Sequence, residues 1–275
     1  MINLIPFEDF GGEGELLHFA HPNAYAPQTF HRFLEPFTEK YHVVGMQQRP
    51  LWPDADPTEM TDWMLFADDL IQFFDQEGLR NIIGVGHSMG GVATMLAAVK
   101  RPELFSKLVL LDPVFMPQIV LDMVANMSAE DMKQHPLVQS ALYRRTQWPS
   151  RQDAFDRFRT KKVFARFSDD LLWDYVNYSI GENEDGTVSL LFPSAWEAQI
   201  YSHFPQQVWQ ELPKVTHPML GIRGAETDTL MPDAWARWQA LQPNGTYVEI
   251  ADVGHMLTLE RPVQAAEIVL QYLSK

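Results

Sequence analysis

Asn81-Ile82-Ile83-Gly84-Val85-Gly86-His87-Ser88-Met89-Gly90-Gly91 decides the fold. A β-branched apolar run enters the pentapeptide Gly86-His87-Ser88-Met89-Gly90, and an alanine-rich helical segment from Gly91 to Lys100 leaves it. In this strand–turn–helix context a Gly-x-Ser-x-Gly stretch becomes a nucleophile elbow. The glycines stand two residues either side of Ser88, where a side chain would crowd a turn that holds the serine backbone in a sparsely populated conformation. Such a turn raises Ser88 Oγ above the sheet edge. It also leaves the Met89 N–H at a helix start, aimed at any negative charge beside the serine.

Outward from the elbow, strand and helix alternate, which predicts an α/β protein with a doubly wound, mostly parallel sheet. Strands are expected at Leu16–Ala20, His42–Met46, Ile82–Val85, Lys107–Leu111, Pro218–Ile222 and Thr246–Ile250. Helices are expected from near Pro27, over Thr58–Gln76, over Pro232–Leu241 and over Pro262–Leu273. In the second of these, Trp63, Phe66, Ala67, Leu70, Ile71 and Phe74 follow helical spacing, with Asp68, Asp69 and Asp75 on the opposite face. From Val114 to Glu211 the rhythm stops. Helical patterns, many aromatics and five prolines (117, 136, 149, 193 and 205) make up a segment too long for a loop. It divides the chain into a core of residues 1–113 and 212–275 and an inserted, mainly helical unit of residues 114–211.

Composition sets the limits. A chain of 275 residues with 46% hydrophobic and 21% charged residues can bury a full core. Its net charge of −15 argues against nucleic acid and anionic membrane surfaces. With no cysteine, disulfides, thiolate zinc sites and a cysteine nucleophile are excluded. The N-terminal stretch Met1–Asp9 lacks a basic start, and no apolar run reaches membrane-spanning length, so a cytoplasmic protein is expected. There is no phosphate-binding Gly-x-x-x-x-Gly-Lys loop, no dinucleotide turn after the first strand and no His-Glu-x-x-His helix. Neither cofactor nor metal is implied, and Gly11-Gly12-Glu13-Gly14 reads as a plain turn.

A serine hydroxyl needs a neighbouring base. Of nine histidines, His42 and His217 begin strands, His31 lies in a helix, and His135 and His203 lie in the insertion. Open α/β sheets bind ligands at the carboxyl ends of their strands. His255 follows the last strand at that edge, beside Gly254, and is the expected base.

The chain resembles the α/β-hydrolase superfamily in Gly86–Gly91, in Gly224-Ala225-Glu226-Thr227-Asp228, in Gly254-His255 and in the upstream His21-Pro22-Asn23. The resemblance runs from about Glu15 to the C-terminus and is weakest over the insertion. It implies an α/β-hydrolase fold with a cap inserted over Ser88, and a Ser-His-Asp triad acting without a cofactor. The superfamily places its acid in the loop holding Asp228, which makes Asp228 the expected acid. Asp112 ends an earlier strand where some members carry the acid, and Glu226 shares the Asp228 loop; both remain alternatives. The superfamily's His-Gly-x loop carries a proline here. Pro22 has no N–H, so the Asn23 N–H is the expected oxyanion donor opposite Met89. His21, Arg49, Trp52 and His87 are possible pocket residues, although His21 also suits local packing and Arg49 an ion pair. The cap's Trp148, Trp173, Trp196 and Trp209 would supply apolar lining. The function so implied is a serine carboxylesterase for small or medium acyl esters with an apolar part. A C–C hydrolase, lactonase or thioesterase with the same triad is the alternative, and a non-catalytic ligand-binding protein of this fold is a rival from another class.

Overall fold

The computed structural model describes residues 4–275; Met1, Ile2 and Asn3, the start of the stretch read above for a leader, lie outside it. Among the described residues ten strands occur in chain order. They are β1 (Phe7–Gly11), β2 (Glu15–Ala20), β3 (Tyr41–Met46), β4 (Ile82–His87), β5 (Phe105–Leu111), β6 (Gln147–Trp148), β7 (Ile180–Glu182), β8 (Val188–Leu190), β9 (Met219–Gly224) and β10 (Thr246–Ile250). Seven form one sheet in the order β1-β3-β2-β4-β5-β9-β10. Only β1 is antiparallel in it, pairing with β3. The expected mostly parallel, doubly wound sheet is present, and β1 is an edge strand the pattern did not reveal. Its sequence, Phe7-Glu8-Asp9-Phe10-Gly11, is acidic and half exposed, as edge strands often are.

All six residues of β4 are buried, since a central parallel strand is covered on both faces. One face packs on Met64–Gln76, Met89–Lys100 and Pro232–Leu241, and the other on Pro262–Leu273 and the turns after β2. The helix Met89–Lys100 is buried almost throughout, which explains its alanine-rich, weakly amphipathic sequence. The helix expected from Thr58 starts at Met64, where the Asp62 carboxylate accepts the Met64 N–H at 2.7 Å. Near Pro27 the chain forms only short turns, Pro27–Phe30, His31–Leu34 and Glu35–Glu39.

Residues 114–211 lie between β5 and β9. They hold short helices and a three-stranded antiparallel sheet, β6-β8-β7, which the helical patterns had hidden. Indole N–H groups tie the segment to the rest of the chain. Trp196 donates to the Ala55 carbonyl at 3.2 Å, and Trp63 donates to that of His203. Trp148, Trp196 and Trp209 are buried, and Trp173 stacks on Phe155, so all four serve packing.

The sheet order reverses at β2, whose neighbours β3 and β4 lie on opposite sides. A crevice outside the carboxyl ends of β2 and β4 follows from that topology. Ser88 and the Pro22–Ala24 turn both stand there.

Candidate active site

Ser88 has φ 56° and ψ −118°, the strained turn its flanking glycines permit. A Cβ at Gly86 would lie 2.4 Å from the Gly90 carbonyl oxygen, and one at Gly90 would lie 2.0 Å from that of Ala20. The chain can make this turn only with glycine at both places. The Ser88 N–H donates to the Leu111 carbonyl at 3.0 Å and pins the elbow to β5.

His255 Nε2 is 2.9 Å from Ser88 Oγ, and His255 Nδ1 is 2.8 Å from Asp112 Oδ1. The carboxylate beside the imidazole is therefore Asp112, and the expectation of Asp228 is corrected. The reason is strand adjacency. β4 and β5 are paired with His87 opposite Leu111, so the residues that follow each, Ser88 and Asp112, stand side by side. Asp228 lies on an exposed turn beyond β9, with no hydrogen bond to His255. Glu226 is exposed too, and pairs with Arg166.

The β9 loop still serves the acid, though not with a carboxylate. The Gly224 N–H donates to Asp112 Oδ2 at 2.9 Å, and the Thr227 hydroxyl donates to Oδ1 at 2.7 Å. Asp112 is fully buried, and its φ of 41° puts a non-glycine residue in the left-handed region. Its three donors satisfy a carboxylate that burial alone would strongly disfavour.

His255 is clamped through its backbone. His87 Nε2 lies 2.9 Å from the His255 carbonyl oxygen, and His87 Nδ1 lies 2.9 Å from the Thr258 hydroxyl. Glu260 accepts the N–H groups of Gly254 at 2.8 Å and Met256 at 3.2 Å, one on each side of the histidine. Thr227, Thr258 and Glu260 were not singled out from the sequence. Thr227 stood inside the stretch quoted for its acids, but hydroxyls carry no positional signal there.

Of the possible pocket residues, His87 is fully buried in that clamp. His21 is buried as well, with Nδ1 2.9 Å from the Pro22 carbonyl oxygen and Nε2 accepting the Gln48 N–H at 3.0 Å. Arg49 makes a two-pronged pair with Asp69 and lies over the Trp52 ring, whose indole N–H donates to the Gln47 carbonyl. Asp69, read as lying on the face opposite the apolar stripe, is buried where it makes that pair. All four candidates are engaged in holding the scaffold. The Met89 and Asn23 N–H groups have no backbone partner among the described residues, so both are free to meet a negative oxygen. Among the described residues no group of three or more His, Asp or Glu could hold a metal ion, and no helix is long and apolar enough to cross a membrane.

Burial pushes His87 and His18 down to about 3 and His21 down to about 4. Geometry agrees for His18 and His21, since each uses Nε2 to accept a backbone N–H, at 3.2 Å for His18. Unfolded histidines take up a proton near pH 6.5, so between about pH 4 and 6.5 the unfolded chain binds more protons and stability falls as pH falls. Each buried histidine contributes a slope of about 1.4 kcal/mol per pH unit. Burial works oppositely on Asp69, raising it to about 6 against the pull of Arg49. Its stabilisation is complete below about pH 3.8 and is lost as pH rises through about 6, so it offsets one histidine. Three histidines outweigh it. Thermal melting should therefore show a net loss of a few kcal/mol from pH 7 to pH 5. A melting temperature that holds or rises over that interval would contradict the neutral, buried histidines.

Residues 19–268 match the Alpha/beta hydrolase family, and the chain belongs to it. It is 29% identical over 231 residues to the abhydrolase domain-containing protein AFT2-1 of Alternaria alternata, covering 70% of this chain and 83% of that one. Over a shorter stretch of 116 residues it is 34% identical to strigolactone esterase D14 of Arabidopsis thaliana, covering 40% of this chain and 43% of that one. Among solved structures, E-2-(acetamidomethylene)succinate hydrolase superposes with a TM-score of 0.82 at 19% identity, covering 98% of this chain and 95% of that one. That likeness establishes the α/β-hydrolase fold.

Proposed function

We propose that this chain is a serine hydrolase that cleaves carboxylic esters through an acyl-enzyme. The observation that carries the reading is the unbroken line of hydrogen-bonded groups from Ser88 Oγ through His255 to Asp112, at 2.9 and 2.8 Å. In this reading Ser88 attacks the ester carbonyl carbon as His255 Nε2 takes its proton, and Asp112 holds the imidazole in the required tautomer and stabilises its cation. The Met89 and Asn23 N–H groups stabilise the tetrahedral oxyanion. His255 then protonates the leaving alcohol and next deprotonates the water that releases the acid. In this reading residues 114–211 act as a lid that helps exclude water, and the 6% exposure of Ser88 supports a sheltered nucleophile. The esterase named among the relatives, D14, supports the choice of an ester as the bond broken.

The test is a fluorophosphonate probe read by peptide mass spectrometry, with a panel of p-nitrophenyl esters of graded acyl length. A single adduct on Ser88 together with ester turnover is expected. No adduct and no turnover on any ester would leave a ligand-binding protein of this fold in its place.

A further inference from the structure

Six polar side chains of the lid and the loop after β2 meet beside the oxyanion turn, and the reaction just described uses none of them. Asn23 and Tyr25 come from the loop, Arg144 from the turn before β6, Tyr175 from the helix Asp169–Ser179, and Glu197 and Tyr201 from the helix Ser194–Ser202. Arg144 Nη1 lies 2.6 Å from Glu197 Oε2, and the pair is largely buried. The Tyr25 and Tyr175 rings meet edge to face at 5.1 Å. The Tyr201 hydroxyl lies beside Asn23 and Glu197. The cluster is close to the nucleophile. Tyr25 packs on Phe30 with ring centres 5.6 Å apart, and Phe30 packs on His87, the neighbour of Ser88.

Part of the hydrogen-bonding capacity here is unspent. Tyr25 is 7% and Tyr175 3% exposed, and their rings carry hydroxyls into this buried cluster. Both polar atoms of the Asn23 amide and Nε of Arg144 are buried without a well-aligned partner. Buried polar groups in native proteins are almost always paired, and a cluster of exceptions calls for an explanation. Burial and neighbouring groups push Tyr25 and Tyr201 up, and burial pushes Tyr175 up to about 12, so the phenols stay neutral donors. Arg144 is matched by Glu197, which leaves the cluster without net charge.

We infer that the substrate presents an uncharged, oxygen-bearing group, a ketone or hydroxyl on its acyl part, to Tyr25, Tyr175 and Tyr201 under the lid. This rests on the ester-hydrolase reading and refines the acyl ester with an apolar part that the family resemblance implies. A plain alkyl chain would leave the phenols unpaired, and a carboxylate would meet Glu197 in a protein of net charge −15.

The experiment compares kcat/KM for p-nitrophenyl valerate, levulinate and hemisuccinate, which differ in having an alkyl, ketone or carboxylate end. The unaltered protein should favour levulinate over valerate by about tenfold, the discrimination one unmade hydrogen bond provides. Tyr175→Phe and Tyr201→Phe remove only a hydroxyl; each should lower that ratio at least about threefold, and together they should bring it close to unity. Equal turnover of levulinate and valerate by the unaltered protein would mean that the hydroxyls hold only water. A preference for hemisuccinate, or a ratio unmoved in the double variant, would equally overturn the inference. Phosphonate labelling of Ser88 in every variant separates the two claims: with labelling intact, a failed ratio defeats the substrate inference alone, and without labelling the reading beneath it falls as well.

Discussion

Replacing Ser88 by alanine is expected to lower kcat for ester hydrolysis by about 10⁴–10⁶ and to abolish phosphonate labelling. The hydroxyl forms the covalent bond, and no neighbouring group is placed to do so. His87 is buried in its clamp, and Thr227 spends its hydroxyl on Asp112. The fold should survive, because among the described residues the Ser88 side chain bonds only to His255 and the elbow is held by its backbone. Alanine is less at ease than glycine at φ 56°, yet no more strained than serine. Near-native turnover in Ser88→Ala, with a melting curve that matches the parent, would show that the elbow does no chemistry.

The second large effect belongs to Asp112. Asp112→Asn should cost about 10³–10⁴ in kcat, because an amide nitrogen facing Nδ1 favours the wrong imidazole tautomer and removes the charge that stabilises the imidazolium. Asp228→Asn should change kcat less than about twofold, since an exposed residue without a role in the relay tolerates an isosteric change. Both variants keep side-chain shape, so kcat compared alongside thermal melting separates chemistry from folding. Were Asp228→Asn the crippling change and Asp112→Asn mild, the hydrogen bond at 2.8 Å would not be the one that functions.

The contrast between these two carboxylates marks how far the sequence can be read. The elbow, the histidine facing it and the succession of strands along the chain follow from local rules: glycines spaced about a serine, apolar runs ahead of turns, a histidine after the last strand. The acid does not. Asp112 and Asp228 both follow strands at the carboxyl edge, and choosing between them needs the lateral order β4-β5-β9, a long-range pairing that no local pattern encodes. The same limit hid β1 and the small sheet β6-β8-β7, whose strands are short and stabilised by tertiary contact. His21, His87 and Arg49 were recognisable as polar residues near the edge. Packing for His21 and an ion pair for Arg49 were legible as well, but the distant partners were not: Gln48 for His21, Asp69 for Arg49 and Thr258 for His87.

Pro113 has a consequence for how such a protein could be diversified. It follows the acid directly, and its ring sits so close to the start of the elbow helix that a Cβ on Gly91 would come within 3.0 Å of it. The Asp112 carboxylate takes its hydrogen bonds from Gly224, Thr227 and His255, all outside residues 114–211. The intervening stretch therefore behaves as a cassette, entered behind a stiff, packed proline and left before β9. A different cassette could be spliced in without disturbing the proton relay, provided it matched several seams: Arg166 donates to the Asp252 carbonyl at 3.1 Å and pairs with Glu226, Trp196 donates to the Ala55 carbonyl at 3.2 Å, and Asp174 pairs with Arg32. Reactivity is thus fixed by one part of the chain, while selectivity is shared across the seams.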